Sequence, residues 1–238
     1  MEASMQMWSV RDCVEKNGMA KTLEMVAKDG FSGVEFAGFG GLSPAEMKAE
    51  LDKNGLYSVG SHTGYDLFQT ALRENLEYNQ KIGSKYMICP GAKLDTKEEA
   101  EALIQLLNEA AVIAKDYGLK VGYHNHSKEF KKIDGKYILD MIAEGTTDDV
   151  VMEIDVFWVA HAGEDPYAYV EKMGKRAELI HMKQIDDNKE NVILSEGNID
   201  FQKIRDTAKY AKYFVVEQEG DVDPIFASRK NGAFIQTL

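Results

Sequence analysis

The chain has 238 residues, 44% of them hydrophobic and 29% charged, with a formal net charge of −12 and an isoelectric point of about 4.9. That size and mix fit one globular domain with a large buried core, and the negative charge speaks against a nucleic-acid partner. No apolar run is long enough to span a bilayer, so no membrane partner is expected. The opening MEASMQMWSVRD lacks the basic region and apolar stretch of a secretion signal, so a cytoplasmic protein is expected.

In chain order, short apolar runs alternate with amphipathic stretches. Residues 5–10 (MQMWSV) read as a first strand, and 19–28 as a helix with Met19, Leu23, Val26 and Ala27 on one face. Residues 33–36 (GVEF) are a second strand. Ser43-Pro44 opens a helix and Asn54-Gly55 closes it. The third strand is 56–61, followed by a helix over 67–82 that stops at Gly83. Residues 86–89 (YMIC) form the fourth strand. Thr96 with Glu99 three residues on caps the longest helix, which runs to 117 and ends at Gly118. The fifth strand is 119–123, followed by a helix over 136–144. The sixth is 150–155, with a helix opening at Asp165-Pro166. The seventh is 179–183. A polar insert, 186–199, precedes a helix over 201–209. The eighth strand is 213–216, and the tail from Pro224 reads as helical. Cys13 and Cys89 stand apart with no CxxC between them and read as buried small residues of a reducing compartment.

Eight strands alternating with helices predict a parallel sheet, and eight such units in this length predict a single α/β domain, a (β/α)8 TIM barrel over 1–238. An open doubly wound sheet is the alternative, weakened because no GxGxxG follows the first strand.

Barrels carry their chemistry at the C-terminal ends of the strands. Glu35 ends strand two and His62 strand three. Strand five gives His124 and His126, with Glu129 on its loop. Strand six gives Glu153 and Asp155, strand seven His181 and Lys183, and strand eight Glu217 and Glu219. Four of the chain's five histidines lie at these ends. The pairs Glu153/Asp155, His181/Lys183 and Glu217/Glu219 are each two apart, so each pair shares a face. Carboxylates crowded together repel, and a divalent cation relieves that repulsion; mixed oxygen and nitrogen donors suit Mn²⁺, Co²⁺, Zn²⁺ or Mg²⁺. Taken singly, each residue has a plainer reading. Glu35 can hydrogen-bond within the barrel, His62 can be an ordinary half-buried histidine, and Glu153 can pair with a lysine. Trp158 either packs or walls a sugar pocket with its ring face.

YHNHSKEF, EIDVFWVAHAGEDP, LIHMKQID, EGNIDF and VVEQEGD, with MQMWSVRD and GVEFAGF before them, resemble the sugar phosphate isomerase/epimerase family with its xylose isomerase-like barrel. The resemblance covers essentially the whole chain, and the histidine-rich fifth strand also resembles inosose dehydratase-type members. It implies a divalent metal held by Glu, Asp, His and Glu from strands five to eight. Asp155, His181 and Glu217 match three of these places. The fourth departs from the pattern: His124 stands where sugar epimerases usually have Glu, so either His124 is the fourth ligand, which favours Zn²⁺ or Co²⁺ over Mg²⁺, or the metal uses Glu153 or water there, or the site has lost metal.

The chemistry implied is isomerisation or epimerisation of a sugar or keto-sugar by proton abstraction next to a carbonyl, through an enediolate. Loss of a β-hydroxyl from the same enediolate gives the alternative, a keto-sugar or cyclitol dehydratase. Glu217, Glu153, Glu129 and Lys183 are the expected catalytic groups, and Glu35, His62, His126 and Trp158 the expected substrate-binding ones. No Gly-rich phosphate loop follows strands seven and eight, so an unphosphorylated substrate is expected. Endonuclease IV shares this barrel, but five histidines and a charge of −12 argue against a DNA substrate. A non-catalytic sugar-binding barrel is the remaining reading. A homodimer is expected because barrels of this kind often pair.

Overall fold

The computed structural model describes residues 2–238. Eight parallel strands close into a barrel in chain order: β1 (Ser4–Gln6), β2 (Gly33–Phe36), β3 (Tyr57–His62), β4 (Tyr86–Cys89), β5 (Lys120–His124), β6 (Val150–Asp155), β7 (Ala177–Met182) and β8 (Tyr213–Val216). β8 pairs back onto β1. The expected α/β TIM barrel is what the chain forms.

Helices coat the outside for local reasons. Pro44–Asn54 starts from a reciprocal Ser43/Glu46 cap and stops at Gly55, whose left-handed φ of 66° suits glycine. Lys97–Ala114 starts from the same device, Thr96 with Glu99. Its buried face of Ala100, Leu103, Leu107, Ala110, Ala111 and Ala114 packs into the main core between helices and strands. Cys13 and Cys89 are both buried and free.

Several boundaries differ from the sequence expectation, and three of them bear on the site. The first run is extended only over Ser4–Gln6; Met7–Val10 is a 3₁₀ turn and Arg11–Asn17 a helix. The Gln6 side chain accepts from Trp8 N at 3.1 Å and so caps that turn. The helix expected over 67–82 breaks at Ala71 into Tyr65–Thr70 and Leu72–Ile82. β7 ends at Met182, leaving Lys183 on the loop above it. The polar insert folds as a hairpin, Gln184–Ile185 against Asn191–Val192. Asn191 Oδ1 accepts from Glu219 N at 2.6 Å and Gln218 Nε2 at 2.9 Å, so the insert braces the loop that follows β8.

The inside of the barrel is layered. Alternate residues share a face of a strand, and a separate apolar cluster of Val59, Tyr86, Ile88, Val151, Leu179 and Val215 fills the lower interior. Two residues further along their strands, Val151, Leu179 and Val215 give way to Glu153, His181 and Glu217. The apolar layer is therefore a floor, and the polar layer rests directly on it.

Candidate active site

Each polar group arrives at a strand end and is fixed there by a neighbour. Glu35 on β2 has no exposed surface. Its Oε2 accepts from Gln6 Nε2 at 2.7 Å and lies 2.8 Å from His181 Nε2 and 3.2 Å from His62 Nε2. Glu153 on β6 is equally buried. Its Oε2 lies 2.7 Å from His62 Nε2, 3.0 Å from His124 Nδ1 and 3.2 Å from His181 Nε2. Glu153 thus pairs with imidazoles and not with a lysine.

One residue pair higher, Asp155 ends β6. Its backbone is held by Asn125, which accepts from Asp155 N at 3.1 Å and donates to Asp155 O at 3.3 Å. Asp155 Oδ1 caps the following helix by accepting from Trp158 N at 3.1 Å. Its Oδ2 is buried with no hydrogen-bond partner. That oxygen faces His124 Nε2 at 3.9 Å and His181 Nδ1 at 4.0 Å, too far for hydrogen bonds. Glu217 Oε2 lies 3.1 Å from His181 Nδ1 and 3.8 Å from Lys183 Nζ. Lys183 is buried, bonds Glu219, and lies over the Trp158 and Phe157 rings at 4.8 and 5.1 Å.

Burial and charge divide the titratable groups. Burial raises the Asp155 carboxyl, Lys183 opposes and Glu217 reinforces, giving about 7. Burial works against Glu217 ionising, but Lys183 and His181 hold it well below the usual carboxylate range. For Glu153, burial and Glu35 push upward, and His181, His62 and His124 outweigh them, lowering it to about 2. His62 loses basicity to burial and regains more from Glu35 and Glu153, reaching about 10. Burial takes His126 down to about 4.

A pocket of about 390 Å³ opens onto this layer, walled by Trp8, Ala37, His62, Pro90, His124, His126, Glu217 and Glu219. Of the sequence-expected residues, Glu35, His62, His124, Glu153, Asp155, His181, Lys183 and Glu217 come together. Glu129 and Trp158 do not join them. Glu129 turns away on a 3₁₀ turn, where Oε1 accepts from Tyr123 OH at 2.6 Å and Oε2 from His126 N at 2.9 Å. Trp158 stands behind His126, ring centroids 5.3 Å apart, and is not among the wall residues. Trp8 takes the aromatic place on the wall and donates Nε1–H to Glu219 at 3.1 Å. Sequence reading missed it because the turn at Met7 that swings it outward leaves no mark on hydrophobic periodicity.

Four donors, His124, Asp155, His181 and Glu217, have ligand-capable atoms all within 4.8 Å of one another. The orphaned Asp155 oxygen between two imidazole nitrogens fits a divalent cation, since donors sharing an ion stand further apart than hydrogen-bond partners. Imidazole with carboxylate is a donor set for Zn²⁺, Co²⁺ or Mn²⁺.

A closed parallel barrel with a His/carboxylate cluster at its strand ends defines a class of barrel, and comparison with known proteins gives the family. The family model for the xylose isomerase-like TIM barrel matches residues 23–238, and the chain belongs to that family. The inosose dehydratase of Geobacillus kaustophilus is 25% identical over 236 residues, 87% of this chain and 74% of that protein. Against an inosose dehydratase of Clostridium beijerinckii the match spans about half of the relative's length, 52%. Among solved structures, a sugar phosphate isomerase/epimerase from Parabacteroides distasonis superposes with a TM-score of 0.85 at 23% identity, covering 99% of this chain and 93% of that one. The IOLI protein, solved with a zinc atom, superposes at 0.78 with 14% identity, covering 100% and 97%. At these identities the superpositions speak for the fold. No helix among the described residues is long and apolar enough to cross a membrane.

Proposed function

We propose that the protein is a metal-dependent enzyme that removes the proton next to the carbonyl of an unphosphorylated keto-sugar or cyclitol, giving an enediolate. The observation that carries this reading is the buried, unpartnered Asp155 Oδ2 facing His124 and His181. Asp155, His181 and Glu217, with His124 closing the set, would hold a divalent cation. Bound there, the ion would polarise the carbonyl and its neighbouring hydroxyl.

The chain's own groups divide the remaining work. Glu217 reaches the pocket and is held ionised beside Lys183, which suits it to take the α-proton. Lys183 supplies a fixed positive charge for the developing oxyanion or a proton for a departing hydroxyl. Glu153 lies beneath His62 and His124 and holds both rings in place through one oxygen. His62 and His126 line the opposite wall, with Glu35 behind His62. Glu129 and Trp158 orient His126 from behind.

The same intermediate serves isomerisation, epimerisation and dehydration, and one feature favours dehydration. Epimerisation needs acid–base groups on both faces of the substrate carbon. Here both wall carboxylates, Glu217 and Glu219, stand at the end of β8, and the rest of the wall offers imidazoles, so the exchange between two carboxylates that sugar epimerases use lacks its second member. One base with a nearby proton donor is what β-elimination of water requires. The inosose dehydratase relatives support the same choice.

The test is to load the protein with Mn²⁺, Co²⁺ or Zn²⁺ and incubate it with inososes and keto-sugars in D₂O, following α-proton exchange and water loss by NMR. Loss of water with exchange at the α-carbon is expected, falling at least ~10²-fold in Glu217→Gln, in the range for loss of a general base. Exchange without water loss would select the isomerase or epimerase outcome. No exchange with any sugar and any of the three metals would sink the enediolate reading.

A further inference from the structure

The pocket over the strand ends is one of two hollows that meet at Trp8. Beyond that residue lies a second hollow of about 340 Å³, nearly the size of the first, walled by Met7, Trp8, Arg11, Val14 and Met19 and by the loop that follows β2. Trp8 and Ala37 line both hollows. They form the neck between them, an indole on one side and a single methyl group on the other.

The two hollows differ in chemistry. The first is ringed by imidazoles and carboxylates. The second is faced by two buried thioethers, Met7 and Met19, and the half-buried Val14. On the loop side Gly38 and Gly40 offer backbone and no side chain. A Cβ at Gly40 would fall 3.0 Å from Met19 Cβ and 3.4 Å from Val14 Cγ1, and its φ of 58° also suits glycine, so that wall stays bare. Arg11 and Glu15 are the only charged residues lining this hollow. Thioethers and a branched aliphatic chain beside an indole favour a flat aromatic ring.

Trp8 is anchored from both sides. Glu219, which lines only the first hollow, accepts from its Nε1–H at 3.1 Å. Arg11, which lines only the second, lies 4.5 Å from the ring centroid and donates to Trp8 O at 2.7 Å. The nearest carboxylate to Arg11 is Asp12, at 4.0 Å, so the guanidinium keeps N–H groups for an oxygen on a bound ring. The indole is 44% exposed, which leaves apolar surface in water that a ligand would cover.

We propose that the second hollow is a subsite for an aromatic group carried by the substrate. The sugar ring lies over the strand-end groups, and its substituent passes Ala37 to rest among Met7, Val14, Met19 and the Trp8 indole. This rests on the proposed function for the occupant of the first hollow and adds the substrate class: a keto-sugar or cyclitol bearing an aryl substituent. Trp8 and Ala37 then determine specificity, since an unsubstituted sugar fills only the first hollow.

The test uses two stable glucosides that differ only in the substituent, methyl β-D-glucopyranoside and phenyl β-D-glucopyranoside. Each is titrated into Zn²⁺-loaded protein labelled at the methionine methyls and the histidine rings, and NMR follows both sets of signals. Both glucosides should move the His62 and His126 signals. Only the phenyl glucoside should move the Met7 and Met19 methyls, through its ring current, and it should bind at least ~10-fold tighter, the scale of burying one aromatic ring. Val14→Phe fills the hollow and should bring the affinity ratio to about one. If that variant loses its far-ultraviolet circular dichroism, Trp8→Ala, at an exposed position, reads the same loss. Phenyl glucoside that moves the imidazoles but neither methyl, with no gain in affinity, would overturn the subsite and leave the sugar pocket standing. A gain that survives both substitutions would overturn it too. Methyls that move while the imidazoles stay still would separate the hollow from the sugar pocket and overturn the proposal. Neither glucoside moving any of these signals would count against the subsite and the sugar pocket together.

Discussion

Glu178 shows how differently the two ends of this barrel use a buried acid. It lies on β7 near the N-terminal end, where Lys120 Nζ reaches Oε1 at 2.6 Å, and Tyr86 OH and Lys212 Nζ reach Oε2 at 2.7 and 2.9 Å. Every partner is a donor, and none faces a second buried carboxylate. Burial raises this carboxyl, and the bonds from Lys120, Lys212 and Tyr86 lower it further than burial raises it. A depressed folded-state pKa stabilises the fold above the unfolded-state value of roughly 4.3, and that stability is lost as pH falls through the folded value. Glu178→Gln should therefore cost about 1–2 kcal/mol at pH 7, the scale of a charge-assisted hydrogen-bond set whose lysines remain half exposed. Urea unfolding of both proteins at pH 7 and near pH 3 checks this, with the gap narrowing at the lower pH. A gap that stays constant would show that shape, and not charge, is what Glu178 contributes. At the other end, Asp155 and Glu153 each have a buried oxygen with no partner in the protein.

At the scale of elements, strand approach sets the site as much as side-chain chemistry does. Gly122 on β5 sits two residues before His124, where a Cβ would fall 2.6 Å from Val151 Cγ2 and 2.7 Å from Val151 O on β6. Gly60 stands in the same relation to His62, with a Cβ 2.3 Å from Tyr86 O on β4. Backbone and a branched side chain cannot yield to such contacts cheaply, so Gly122→Ala should cost roughly 1–3 kcal/mol, as overpacking does. It should also shift His124 away from Glu153. Urea unfolding together with the His124 imidazole NMR signal reads both effects; a stable variant with an unmoved His124 would show that β5 and β6 can part without disturbing the site. Much of this architecture is legible in the sequence. Period-two spacing brings Glu153/Asp155 and His181/Lys183 to adjacent strand ends, and caps such as Ser43/Glu46 mark where helices begin. Gln6, Trp8 and Glu129 are less legible because short turns, at Met7–Val10 and Ser127–Phe130, decide where they point, and Trp158 because a short helix opens directly at Asp155. A turn of four residues is set by one cap or one hydrogen bond and has no period to detect. Nor does spacing along a strand say that Glu35 and Glu153 share His62, since that contact depends on the curvature of the closed barrel.

For the whole molecule, the charge distribution makes a thermodynamic statement. The chain carries a net charge of −12, and four of its carboxylates, Glu35, Glu153, Asp155 and Glu217, are buried together in one barrel end. Surface charges are screened within ~8 Å at physiological salt, and buried ones much less. The polar layer is therefore the part of the fold most sensitive to a bound cation, and the rest should be nearly indifferent to added salt. Ions that bind the folded state alone stabilise it by mass action, about 2.7 kcal/mol at a hundredfold excess over Kd for one site. For a chain of this size each kcal/mol moves Tm by roughly 2–4 °C. Chelated protein should thus melt about 5–10 °C below protein saturated with Zn²⁺ or Mn²⁺ by differential scanning calorimetry. Asp155→Asn should lose much of that response while retaining the metal-free Tm to within a few degrees, because its Oδ2 makes no hydrogen bond that the substitution could remove. NaCl at matched ionic strength should shift neither protein appreciably. If NaCl reproduced the divalent effect, the response would come from the acidic surface, and the cluster at the strand ends would have to be held together by protons on His62 and His181 instead.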